Sequence, residues 1–229
     1  MPAQMEYAYF ITATGTDAGK TFVAEGLARA WRAAGRRVRA LKPVMSGYDA
    51  AAPELSDAGR LLAACGFAAT AENVAAISPW RFKAPLSPDG ASALEGRALD
   101  FDDLVGWCRR EALRSEGAVL VEGIGGVMVP LDANHTVREW IVALDLPVLL
   151  VAGTYLGAIS HTLTSLAALR EVGIRPAAVV VNESAGGVSV EDTLASLVPH
   201  AEGIPLLTIA RGDPADFGAL ADFVLKGCR

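Results

Sequence analysis

Thr14-Gly15-Thr16-Asp17-Ala18-Gly19-Lys20-Thr21 constrains this chain more than any other stretch. It lies between an apolar run, Tyr7 to Ile11, that reads as a buried strand, and Phe22 to Trp31, whose apolar residues recur at helical spacing. Strand, glycine-containing turn ending in Gly-Lys-Thr, then helix is the setting of a phosphate-binding P-loop. The first N–H groups of a helix have no partner within it, and the helix dipole favours an anion in front of them. In such a loop Lys20 reaches the β- and γ-phosphates of a nucleotide, and the Thr21 hydroxyl ligates Mg²⁺. The common pattern, G-x-x-x-x-G-K-[ST], would put its first glycine at position 14, where this chain has Thr14 with Gly15 after it. The competing reading is a glycine turn before an ordinary helix with an exposed lysine.

The remaining chain alternates apolar runs with helical patterns. Strands are expected at Arg36 to Leu41, Asn73 to Ser78, Gly117 to Val121, Pro147 to Ala152, Ala177 to Val181 and Leu206 to Ile209. Helices are expected from Ser56 or Asp57, over Asp102 to Arg114, over Thr136 to Leu144, from about Thr154, over Val190 to Leu197 and over Pro214 to Leu225. Trp31, Trp107 and Trp140 fall on apolar helix faces and are expected in the core, with His161 structural. Such alternation implies a mostly parallel sheet with helices on both faces. No linker or repeat divides the chain, so a single domain over residues 1–229 is expected. Open parallel sheets bind ligands at the C-terminal ends of their strands. Two stretches fall there: Lys42-Pro43-Val44-Met45-Ser46-Gly47, and Glu122-Gly123-Ile124-Gly125-Gly126, where a carboxylate ends a buried strand beside three glycines. Pro79 to Pro88 is proline-punctuated and long enough to be a functional loop.

Composition excludes several function classes. A net charge of −6 argues against a nucleic-acid partner. The longest apolar stretch, near Leu146 to Val151, is too short to span a bilayer. Cys65, Cys108 and Cys228 are scattered, with no metal-ligand spacing, which suits reduced thiols in a cytoplasmic protein. A strand at the very start leaves no room for a signal peptide.

Taken together, Phe10 to Thr21, Lys42 to Gly47, Asp57, Val121 to Gly126, Leu156 to His161 and Val181-Asn182 resemble dethiobiotin synthetase in order and spacing. Lys-Pro-Val-x-Ser-Gly after the P-loop is the discriminating piece. The resemblance implies a P-loop NTPase fold of about seven strands, a homodimer, and closure of a ureido ring from 7,8-diaminononanoate, CO₂ and MgATP. It implies a catalytic set of Lys42, Lys20, Thr16 and Asp17. It places the nucleotide on Asp17, Ala18, Gly19, Lys20, Thr21, Phe22, Glu122, Gly123, Ile124, Gly125, Asn182, Glu183 and Pro205. Mg²⁺ would be held by Thr21, Asp57 and Glu122. The substrate would meet Ser46 and, across the dimer interface, the helix start Gly157, Ala158, Ile159 and Ser160. Bland alternatives stand beside some of these: Asp57 as a helix cap, Ser46 as a loop residue capping its own turn. The family usually has Gly at position 13, Asp at 15 and Glu at 17, where this chain has Ala13, Gly15 and Asp17; Gly15 is expected to supply the loop's backbone freedom. Two other functions fit a P-loop: an amidoligase of corrinoid type, which would need a glutaminase partner, and a partitioning-type ATPase, whose extra loop lysine would stand at Gly15.

Overall fold

The structure is a computed structural model that describes residues 8–211 and 215–226. Tyr7, Pro214 and Cys228 lie outside the described residues. The chain runs β1 (Ala8–Ala13), α1 (Lys20–Ala33), β2 (Val38–Leu41), β3 (Val44–Met45), α2 (Asp57–Cys65), α3 (Ala71–Ile77), β4 (Trp80–Arg81), α4 (Pro88–Glu95) and α5 (Phe101–Arg114). It continues with β5 (Ala118–Glu122), α6 (Val137–Leu144), β6 (Val148–Ala152), α7 (Ala158–Glu171), β7 (Ala178–Asn182), α8 (Val190–Leu197), β8 (Leu206–Ile209) and α9 (Ala215–Lys226).

Six strands form one sheet in the order β2-β5-β1-β6-β7-β8, every pair parallel. That is one strand fewer than expected; the short β3 and β4 pair separately, also in parallel. β1, β5 and β6 are buried along their whole length. Continuous apolar strands of this kind need cover on both faces, and the helices supply it. Trp140 of α6 meets Phe10 of β1 edge to face, with ring centroids 5.0 Å apart. α1 and α9 pack closely because Gly26 has no side chain: a Cβ there would stand 2.0 Å from the Phe217 ring. Trp31 and Trp140 are fully buried as expected, whereas Trp107 is half-buried against Trp80.

One expectation fails locally. Asn73 to Ser78, read as a strand, belongs to helix α3. The Thr70 side chain caps it by accepting from the Asn73 N–H, and Val74 and Ile77 fall on one buried face. A run this short carries too little periodicity to separate helix from strand, and its cap decides. Within the Pro79–Pro88 segment, Trp80–Arg81 pairs as β4, and Pro88 opens α4 at a first-turn position that suits proline.

Sheet order fixes what stands side by side at the C-terminal rim. Reading across β2, β5, β1, β6 and β7, the strands deliver Lys42, Glu122, the Thr14–Gly19 loop, Gly153-Thr154 and Asn182 in succession.

Candidate active site

The loop after β1 rises over the rim and enters α1 at Gly19. Its left-handed turns come at Asp17 (φ 60°) and Gly19 (φ 103°), not at Gly15. Gly15 instead matters for closeness: a Cβ on Gly126 would stand 3.2 Å from the Gly15 Cα. Gly19 is the strictest position. It combines a conformation that disfavours side chains with a neighbour, Asn182 Nδ2, 2.2 Å from where a Cβ would sit. Asn182 Nδ2 donates to the Ala18 carbonyl at 3.1 Å, so β7 holds the loop from the far side. No side chain caps the start of α1, which leaves its N–H groups to an anion.

Lys20 and Lys42 are both buried, at 7 % and 2 % exposure. Lys20 Nζ donates to the Gly125 carbonyl at 2.6 Å and to the Gly15 carbonyl at 3.3 Å. Burial, and then the charge of Lys42, bring its pKa down to about 8. Lys42 Nζ donates to Glu122 Oε1 at 2.6 Å and to the Gly123 carbonyl at 2.9 Å, with Asp57 Oδ2 at 3.2 Å. Burial works against this ammonium, yet the Glu122 and Asp57 carboxylates outweigh it and hold the pKa above its usual value. Burial likewise opposes the Asp57 carboxylate, and Lys42 with the Thr21 hydroxyl holds it below the usual range.

The Thr21 hydroxyl donates to Glu122 Oε1 at 2.7 Å. Glu122 is 1 % exposed, and its second oxygen, Oε2, is buried with no hydrogen-bond partner. A buried carboxylate oxygen without a donor is costly and calls for a ligand. Thr21, Asp57 and Glu122 thus bring three hard oxygen donors from three elements to one spot, which suits Mg²⁺ completed by phosphate and water. Among the described residues no group of three His, Cys, Asp or Glu side chains gathers as a metal site, and this spot offers two carboxylates and a hydroxyl. Asp57 is not the helix cap: Ser56 caps α2, accepting from the Gly59 N–H at 3.1 Å.

Lys20, Thr21, Lys42 and Asp57 line one cleft of about 710 Å³ with Thr16, Asp17, Phe22, Ser46, Ile124 and Gly125, and Glu122 lies buried behind Thr21 and Lys42. The Pro85–Pro88 end of the proline-rich segment closes the opposite wall. Sequence reasoning missed two wall residues, Arg60 and Val129. Arg60 had a signal, since it stands three residues after Asp57 and shares its helix face.

The four residues expected to meet the substrate across a dimer interface lie elsewhere. Gly157, Ala158, Ile159 and Ser160 sit at the same rim but outside this cleft. Gly157 (φ 97°) opens α7 without a side-chain cap, the same arrangement as Gly19 before α1. The first turns of α7 face a smaller recess of about 360 Å³, shared by His161, Thr164, the Thr14–Thr16 loop and Gly126–Val129. His161 Nδ1 lies 2.8 Å from the Tyr155 hydroxyl, a structural contact.

Pro205 is a correction. It precedes β8 and accepts from the Val179 N–H near the start of β7, whereas Asn182 pairs with Ile209. Four residues of parallel strand put Pro205 about 13 Å from the rim, at the wrong end of the sheet. Proline opens β8 because it has no N–H for the ladder. The rim end of β8 is marked instead by Glu183, whose carboxylate accepts from the Arg211 N–H at 2.7 Å.

Comparison with known proteins agrees with this geometry. A protein-family profile described as an AAA domain matches residues 7–209. An ATP-dependent dethiobiotin synthetase BioD of Acidiphilium cryptum is 54 % identical over 199 residues, covering 86 % of this chain and 89 % of the relative. The protein of the same name from Methylobacterium nodulans is 50 % identical over 208 residues, covering 89 % and 92 %. Among solved structures, HypB of Helicobacter pylori in complex with nickel superposes with a TM-score of 0.58 at 14 % identity, covering 98 % of this chain and 88 % of that one. At that identity the likeness is one of fold. No helix among the described residues is long and apolar enough to cross a membrane.

Proposed function

Because the chain belongs to the dethiobiotin synthetase family, an ATP-dependent ligase family of biotin biosynthesis, we propose that its rim cleft closes a ureido ring on 7,8-diaminononanoate with CO₂ and ATP. The observation that carries the site assignment is the meeting of Lys42, Glu122, Asp57 and Thr21 beside the P-loop. One amine of the substrate adds to CO₂ and loses a proton, giving a carbamate. A carbamate oxygen attacks the γ-phosphorus and ADP leaves. The second amine then attacks the carbonyl carbon of the mixed anhydride, the C–O bond to phosphate breaks, and the ring closes.

The chain's residues divide this work. The free N–H groups at the start of α1 and the Lys20 ammonium hold the β- and γ-phosphates. Lys42, buried and firmly charged, faces the carbamate and the phosphoryl group in transit, where a fixed cation lowers the barrier most. Thr21, Asp57 and Glu122 are the residues that would hold Mg²⁺, and Glu122 Oε2 is the atom that most needs it. When bound, the metal neutralises phosphate charge. Thr16 and Asp17 stand exposed at the mouth of the cleft, placed to receive the substrate's ammonium, and Ser46 to receive its nitrogen or carbamate. Asn182 spends its Nδ2 on the P-loop, so its Oδ1 is the atom left to accept from the adenine amino group, with Glu183 next to it.

A dimer accounts for α7. Its uncapped start is a second anion site that the main cleft does not use, and it would take the substrate carboxylate from a neighbouring subunit's cleft. We place the enzyme in the cytoplasm as one functional unit over residues 1–229. The test is ADP and dethiobiotin formation with diamine, bicarbonate, ATP or Mg²⁺ omitted in turn. Each omission should abolish product; ATP turnover indifferent to the diamine would overturn the reading.

A further inference from the structure

Glu25 is a carboxylate only 4 % exposed, in the middle of α1, and no step above uses it. It stands four residues after Thr21, one turn further along the same face. Facing it on α2, Arg60 stands three residues after Asp57. The two helices therefore meet in successive rungs, Thr21 with Asp57 at the cleft and Glu25 with Arg60 next to it. The second rung is a two-pronged pair: Arg60 Nε donates to Glu25 Oε1 at 3.0 Å, and Nη2 donates to Oε2 at 2.9 Å. Arg29 approaches the same carboxylate only at 3.9 Å.

The pair is asymmetric. Glu25 is sealed between helices, while the Arg60 side chain is 43 % exposed and forms part of the cleft wall with Lys20, Lys42 and Asp57. Glu25 occupies one edge of the guanidinium. Nη1 has no partner among the described residues. A guanidinium fixed along one edge keeps donors on the other in a rigid plane, a geometry that matches phosphate oxygens. The anchor of α2 is equally firm. A Cβ on Gly59 would lie 2.2 Å from the Pro53 carbonyl oxygen, so only glycine lets the preceding turn close on the helix that carries Asp57 and Arg60. A buried glutamate that served only to join two helices would do so with less desolvation as an apolar residue.

We infer that Arg60, aimed by Glu25, is a third cation of the phosphoryl-transfer site and holds the phosphate group that leaves as the ring closes. In that step the amine nitrogen forms the new C–N bond, the C–O bond to phosphate breaks, and phosphate departs with the bonding pair and ends with the proton that the nitrogen sheds. Negative charge grows on the phosphate, and Arg60's outward edge stabilises it. Lys20 and Lys42 act mainly before this point, on ATP and on the carbamate. This inference rests on the proposed reaction.

The experiment measures kcat, KM for ATP, and inhibition by inorganic phosphate in the presence of ADP, for the whole enzyme and for Arg60→Gln, Arg60→Lys and Glu25→Gln. Arg60→Gln should lower kcat by about ten- to a hundred-fold. Its KM for ATP should stay within about three-fold, while the inhibition constant for phosphate rises about ten-fold. Arg60→Lys should recover part of both losses, and Glu25→Gln, which keeps the charge but loosens its aim, should fall between. A helix-joining role alone would lower the melting temperature and leave phosphate inhibition untouched. Unchanged kcat and unchanged phosphate inhibition in Arg60→Gln overturn the inference. If that variant does not fold, unchanged phosphate inhibition in both other variants overturns it as well. A wild-type enzyme that forms no cyclic urea would instead refute the proposed reaction itself.

Discussion

The two rims of the sheet carry hollows of similar size and opposite physics. At the C-terminal rim a cleft of about 710 Å³ gathers Lys20, Lys42 and Asp57, with Glu122 buried behind Lys42 and Thr21. At the N-terminal rim a groove of about 610 Å³ is lined by Arg32, Arg36, Arg37, Arg39 and Arg114 over an apolar floor of Leu62 and Ile77. The groove holds more positive charge, yet four of its five arginines, all but Arg39, are exposed. Arg37 pairs with Glu116 where both side chains are three-quarters exposed, and such pairs contribute little. At the cleft Lys20, Lys42 and Glu122 have lost their water, so each depends on its partners, and removing one leaves another stranded. Neither volume nor charge count separates the two hollows; desolvation does.

The contrast breaks most visibly through the lysines. Lys20→Ala should cost turnover several orders of magnitude, since one cation on a transferring phosphoryl group is worth about 3–5 kcal/mol. The fold should survive, because the lysine's partners are loop carbonyls. Near-normal turnover in a folded Lys20→Ala enzyme would erase the distinction between the rims.

Glu122→Gln comes next. It trades an ionic ligand for a neutral one and leaves Lys42 with Asp57 alone. The Mg²⁺ concentration for half-maximal activity should rise about ten-fold or more. A Mg²⁺ titration that overlays the wild type would remove Glu122 from the metal site.

Gly19→Ala tests the loop itself. The new methyl meets Asn182 Nδ2 in a backbone conformation that already disfavours it, so ATP affinity should fall about ten-fold, by displacement of the loop. Adding Asn182→Ala removes the clash but keeps the strain, and should restore part of the loss. Binding calorimetry with ATP measures both; no recovery would mean that backbone strain alone is responsible.

The smallest effects come from exposed charges. Glu139 caps α6, accepting from the Thr136 N–H at 2.8 Å and from its hydroxyl at 2.6 Å. Burial opposes the ionised form slightly, and the Thr136 donors with Arg138 outweigh it, bringing its pKa from 4.5 down to about 2. A depressed folded pKa means stability that is present above about pH 4.5 and lost as pH falls towards 2. Glu139→Gln should therefore lower the melting temperature modestly at neutral pH and flatten its decline across that window, so that variant and wild type converge towards pH 2. Arg37→Ala at the far rim should shift melting hardly at all.

How much of this was legible in the sequence depended on whether a residue acts through its neighbours in the chain or through distant ones. The P-loop, Lys42 and Glu122 announce themselves because strand, turn and helix leave local patterns, and strand ends define the rim. The α3 helix escapes a sequence reading because Val74-Ala75-Ala76-Ile77 is a short continuous apolar run that a buried strand also shows, and the cap at Thr70 decides for the helix. Pro205 was misplaced because a residue's rim is set by strand direction and register, which no short motif encodes. The Glu25–Arg60 pair was invisible for a similar reason: each residue looks like an ordinary surface charge until two helices are laid face to face.

The P-loop is made early and completed late. Its partners at Glu122, Gly125 and Asn182 are supplied 101 to 164 residues further along the chain. A ribosome adding about 5–20 residues per second needs on the order of ten seconds or more to pass from Thr21 to Asn182. Until then the nascent chain's phosphate loop lacks its brace from β7, and for the first 101 residues it lacks its carboxylate too. Nucleotide therefore cannot template the fold from its N-terminal end. The loop acquires its β7 brace only after about four-fifths of the 229 residues have been added.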